Sequence, residues 1–113
     1  MEMIRIFVQP GSCGFSCRVE ARRRDKRQAI IEIGDSQCEL IHELARNLKQ
    51  VTLKDLFAPH TRNPVYKAAE TAGCHLACPV PVAILKAAEV ALQLALPRES
   101  SMVFEQPGEK DTT

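Results

Sequence analysis

The residues with most chemistry to offer in this chain are its five cysteines and three histidines, and they are unevenly placed. Cys13 and Cys17 frame the glycine-bearing stretch "GSCGFSC", Cys38 opens "CELIHELARNL", and Cys74, His75 and Cys78 crowd into "GCHLACPVPV". The apolar periodicity of the chain is filled by Leu, Ile, Val and Ala, so the cysteines fall at the ends of elements; only Cys38, two before Leu40 and three before Ile41, could pass as a core position. A cysteine that merely fills space sits among the periodic apolar residues of an element. One in a loop or at a helix end is placed for ligation or nucleophilic attack.

Two chemistries follow. In the first, Cys13, Cys38, Cys78 and either His75 or Cys74 supply four ligands to a zinc or iron-sulfur centre. The Cys-x3-Cys spacings of Cys13/Cys17 and Cys74/Cys78 are looser than paired Cys-x2-Cys knuckles. Gly11 and Gly14 add to this reading, because glycine lets backbone amides turn toward a sulfur. In the second, Cys78 is a catalytic thiol and caps the last helix. Pro79 and Pro81 remove two of the donors that a helix start leaves unpaired, and the Val80 amide with the positive helix end lowers the thiol pKa. Cys13 or Cys74 would then be the resolving thiol. The plainest reading is a scaffold or interaction protein whose Cys-Pro-x-Pro is only a stiff helix start.

The elements that must position these residues can be read in order. Residues 2–9 alternate Ile4, Ile6 and Val8 as a strand ended by Pro10-Gly11. Val19 and Ala21, then Ala29, Ile31 and Ile33, predict an antiparallel hairpin with its tip at "RRRDKR". Ser36 and Glu39 have capping-box spacing before a helix carrying Leu40, Ile41, Leu44, Ala45 and Leu48. Thr52 and Asp55 repeat that spacing ahead of short helical turns, and Asn63-Pro64 opens a helix that Gly73 stops. Pro79 to about Leu94 forms the longest helix, apolar except for a stripe of Lys86, Glu89 and Gln93, and therefore largely buried. "SMVFE" (101–105) reads as a last strand. The sum is an α+β two-layer sandwich, an antiparallel β-sheet of about four strands packed by three to four helices, in one domain over 1–105 with a polar tail at 106–113.

Once Cys78 heads that helix, a likeness appears. "CPVPVAILKAAE", Cys78 to Glu89, resembles the Cys-Pro-x-Pro helix start of small sulfur-carrier proteins, which implies a persulfide on Cys78 passed to a partner. The whole chain, from "GSCGF" through "HLACPVPVAILKAAEVA" to "LALPRE", also resembles a small bacterial and archaeal family of uncharacterised proteins, which implies no function.

Other classes find few residues. Fifteen Lys+Arg stand against fourteen Asp+Glu, so no global field draws the chain to nucleic acid or anionic lipid. The basic cluster Arg22–Arg27 reads as a solvated hairpin tip, and aromatics are too scarce for a base-stacking platform. His42 sits on a helix flank and His60 in a polar loop, each without a placed partner. No nucleotide or flavin motif, nucleophile elbow or histidine pair is present. The N-terminus lacks a signal-peptide pattern and no run is apolar enough to span a bilayer, which predicts a cytoplasmic protein with reduced thiols. A protein partner or a homo-oligomer remains compatible with the sequence.

Overall fold

The computed structural model describes residues 3–107, so the expected tail from residue 108 onward lies outside the described residues. Three strands come first: β1 (Met3–Val8), β2 (Cys17–Asp25) and β3 (Gln28–Gly34). Helix α1 (Glu39–Asn47) is followed by a short strand β4 (Gln50–Thr52), two 3-10 turns at Asp55–Phe57 and His60–Arg62, and helices α2 (Pro64–Ala72) and α3 (Val80–Ala91). The strands form one antiparallel sheet in the order β1-β2-β3-β4, and the helices pack on it to give the expected α+β arrangement.

Strand alternation sorts the sheet into two faces. Register aligns Ile6, Val19 and Ile33 in one row and Ile4, Ala21 and Ile31 in the next, all facing the helices. Val19, Ala21, Ala29, Ile31 and Val51 are fully or almost fully buried there. The opposite face carries Arg5, Arg18, Arg22, Glu20 and Glu32, with Arg5 Nε donating to Glu20 Oε2 at 2.7 Å and Arg18 paired with Asp35. Such exposed pairs contribute about 0–1 kcal/mol each, so the helix-facing rows hold the sheet to its partners.

The fourth strand is not where the sequence pattern put it. Ser101–Glu105 is exposed and forms no strand, while Gln50–Thr52 pairs with Gln28–Ile30. Only Val51 of that strand is buried, too short an alternation to stand out in the sequence. The Ser36/Glu39 capping box is also absent. Cys38 is the residue before the helix, and Ser36 Oγ instead accepts from the Cys38 amide at 3.1 Å. The second box does form: the Asp55 amide donates to Thr52 Oγ1 and the Thr52 amide to Asp55 Oδ2, at 3.1 and 2.9 Å.

Both ends of α2 follow the sequence signals. Asn63 Oδ1 accepts from the Val65 amide at 2.9 Å, with Pro64 at the first helical position. Gly73 takes φ 80°, and the Gly73 and Cys74 amides bond back to the carbonyls of Glu70 and Ala69, a Schellman stop. Helix α3 buries Val80, Pro81, Ala83, Ile84, Ala87, Ala88 and Ala91. No described helix is long and apolar enough to cross a membrane.

Asn63 joins two elements, since its Nδ2 also donates to the Asp55 carbonyl at 2.9 Å and the residue is buried. Asn63→Ala should therefore cost about 1–3 kcal/mol in urea unfolding at unchanged m-value, because one cap and one buried carbonyl bond are lost together.

A candidate thiol centre

The path of the chain gathers the cysteines at one end of the sandwich. The end at which β1 finishes and β2 begins is also the end at which β3 finishes, because Val8 pairs with Cys17 and Arg18 with Gly34. Cys13 lies in the first of these connections and Cys38 closes the second, at the start of α1. Helix α1 runs back along β3, β4 and the 3-10 turns occupy the far end, and α2 returns. Cys74 and Cys78 then lie in the α2–α3 turn, where the Cys78 amide donates to the His75 carbonyl at 3.1 Å. Three separate connections thus deliver thiols to one place.

All five thiols are free. Cys17 is completely buried, and burial raises its pKa from the ordinary thiol range to about 11, with the negative charges of ionised Cys78, Cys38 and Cys13 adding to the rise. Burial also raises Cys74, followed by the charges of Cys78 and Cys38. For Cys78 burial again dominates and raises the pKa; the Val80 amide opposes it, and Cys13 and Cys38 add to it. An influence of one thiol on another requires proximity. Cys13, Cys17, Cys38 and Cys78 are one electrostatic neighbourhood, with Cys74 beside Cys78 and Cys38.

Two expectations for Cys78 need correction. Pro79, and not Cys78, is the cap of α3: its carbonyl already accepts the first helical bond, from the Ala83 amide at 3.0 Å. Cys78 stands one residue further out. Its sulfur does receive the Val80 amide, yet desolvation outweighs that bond, so the thiol is held protonated at neutral pH and not activated. A bare Cys78 nucleophile is therefore not supported.

The other candidates separate clearly. His75 is exposed in the α2–α3 turn, and among the described residues its imidazole makes no hydrogen bond or ion pair. Cys74 is half-buried against the core. Cys13 is exposed between Gly11 and Gly14, both at positive φ, where a β-carbon would meet nothing within 4 Å. Cys17 is the member that the element-end argument underrated; its even spacing to Val19 and Ala21 was the signal, since alternation turns all three inward. Among the described residues no group of three or more His, Cys, Asp or Glu side chains stands close enough to hold a metal ion as the chain is arranged. His42 is elsewhere occupied, with Nε2 2.6 Å from the Ser36 carbonyl, and His60 lies 6.2 Å from Tyr66, ring to ring. Two surface depressions, one along Met3, Arg22, Arg23, Arg24 and Ile30 and one along Leu53, Phe57, Ala58 and Arg62, lie away from the cysteines.

Fold and site together define a small antiparallel α+β sandwich with a cysteine cluster where three connections meet. The chain belongs to the family of unknown function DUF6951, whose model matches residues 4–104. No curated protein and no solved structure matches the chain, and the local likeness of "CPVP" to sulfur carriers gains no support from these comparisons.

The pKa of Cys17 carries a stability prediction. A thiol whose folded pKa lies above its unfolded value binds its proton more tightly when folded, so its contribution is complete below the unfolded pKa and lost as pH rises through the folded one. Reduced, metal-free protein should lose on the order of 3 kcal/mol between about pH 9 and about pH 11. Denaturation midpoints across that range should flatten in Cys17→Ala; an unchanged slope would remove Cys17 as its source.

Proposed function

We propose that this end of the sandwich binds a thiolate-rich metal centre, zinc or iron-sulfur, through Cys13, Cys17, Cys38 and Cys78, with Cys74 in support. The observation that carries the reading is the convergence of Cys13, Cys38 and Cys78, from three different connections, on the end of the sheet where Cys17 opens β2. Four thiolates repel one another unless a cation sits among them. A divalent metal replaces the protons and turns the same proximity into binding energy.

The surroundings suit that task. The Val80 amide donates to the Cys78 sulfur, as amides around ligating thiolates do. Cys38 stands at the start of α1, where the helix dipole favours negative charge. Closing four sulfurs on an ion requires them to draw together, and Cys13 lies exposed between Gly11 and Gly14, around which there is open space. His75, exposed in the α2–α3 turn and named by the sequence as an alternative ligand, is not part of this proposed set.

A second reading, persulfide sulfur transfer on Cys78, draws on the Val80 amide alone. Burial weighs against it, since the thiol must ionise to accept or pass sulfur.

Protein purified without oxygen should carry near-stoichiometric zinc, or iron with acid-labile sulfide. Cys78→Ser and Cys38→Ser should each lower metal affinity by roughly 10-fold or more, and Cys74→Ser should do so far less. Failure to bind zinc or to reconstitute a cluster under anoxic conditions would sink the metal reading. Sulfane sulfur on Cys78 in such metal-free protein would point instead to the carrier.

A further inference from the structure

The exposed segment before the C-terminus is the largest feature that the thiol centre leaves unused. Met102, Val103 and Phe104 are consecutive, apolar, and 89%, 78% and 100% exposed. Among the described residues, no backbone hydrogen bond joins 99–107 to the rest of the chain. Yet the family match runs through Phe104, so the segment belongs to the shared unit. Val103 and Phe104 are β-branched and aromatic, and Ser101 and Glu105 flank the apolar run, the composition of a strand without a partner.

The sheet has the matching vacancy. β1 is an edge strand of six residues whose outer backbone groups are unpaired among the described residues, and Met3 and Phe7 are exposed along it. The other edge, β4, has only three residues and continues into a 3-10 turn. Unpaired, apolar edges are templates for strand addition.

We propose that the chain forms a symmetric dimer in which Ser101–Glu105 of each copy adds antiparallel to β1 of the other. Pairing Glu105 with Arg5 places Val103 opposite Phe7 on the outer face, and sets Phe104 and Met102 beside Ile6 and Val8 on the helix side. Arg5 has donors to spare beyond its bond to Glu20. The direction selects a second copy. Helix α3 starts at the thiol end, so the chain leaves it at the end where β1 begins, and the chain's own segment would run parallel to β1 in a sheet that is otherwise antiparallel. Exchange of the same element between two copies closes the assembly and leaves neither β1 edge free.

Light scattering on full-length protein over about three decades of concentration should show a monomer–dimer equilibrium. Met102→Asp/Phe104→Asp, at positions exposed in the single chain and so harmless to its fold, should weaken it by about 100-fold or more. Glu105→Arg should weaken it about 5-fold. Hydrogen exchange should show β1 amides protected in the dimer and open in the monomer. A chain that stays monomeric throughout, or a dimer indifferent to the double substitution, overturns the proposal. So does protection of β1 in the monomer, which would mean that the segment folds onto its own edge. Metal content plays no part in this readout, so failure here and failure of the thiol centre are separate results.

Discussion

The seating of α3 on β2 and β1 is the contact on which the thiol end depends. Four alanines, Ala83, Ala87, Ala88 and Ala91, are buried in that helix, and side chains so small let its backbone lie close to the sheet. Val80 and Ile84 fill the space between them, each contributing about 1.5–3 kcal/mol by burial. Val80 pins the first turn of the helix, and Cys78 is only two residues before it. On the sheet side Val19 is buried, and Cys17 is two residues before it on the same face. Cys17 is therefore itself a core position and Cys78 is half-buried against the core, so the packing that holds the core also holds these two residues.

Topology does the rest. A sheet of antiparallel neighbours covered by antiparallel helices brings the chain back to the same end at each second connection, and here those connections are the β1–β2 loop, the β3–α1 link and the α2–α3 turn. The opposite end holds the β2–β3 hairpin and the interlocked Thr52, Asp55 and Asn63 side chains, whose hydrogen bonds serve the fold. Chemistry-bearing residues and fold-bearing residues are thus divided between the two ends of one small sandwich.

Much of this was legible in residue patterns that carry their own physics. The β2–β3 hairpin, the Asn63-Pro64 start, the Gly73 stop and the narrow polar stripe of α3 each rest on a local rule, and the folded chain obeys them. What escaped depends on contacts between distant residues. β4 is a strand because Gln28–Ile30 offers it an edge, and Ser101–Glu105 is not one because it lies exposed and pairs with no described strand. The Ser36/Glu39 spacing met the box pattern, but the helix starts later than that spacing requires, with Cys38 and not Ser36 at its cap. The convergence of cysteines was visible as a tendency of element ends; Cys17 required knowing which face of β2 the helices would cover.

The raised pKa values also decide what kind of chemistry the cluster suits. A nucleophilic thiol needs an environment that prefers its anion at neutral pH, and here burial and, after it, the neighbouring thiols prefer the neutral form. The same two influences do not oppose metal binding in the same way, because the ion arrives with the positive charge that the buried anions lack. Partial burial then becomes an advantage for the proposed centre, since it limits the water that competes for an ion and strengthens each charge-charge attraction. Thiols that hold their protons against solvent suit the proposed exchange of those protons for a cation better than they suit nucleophilic attack.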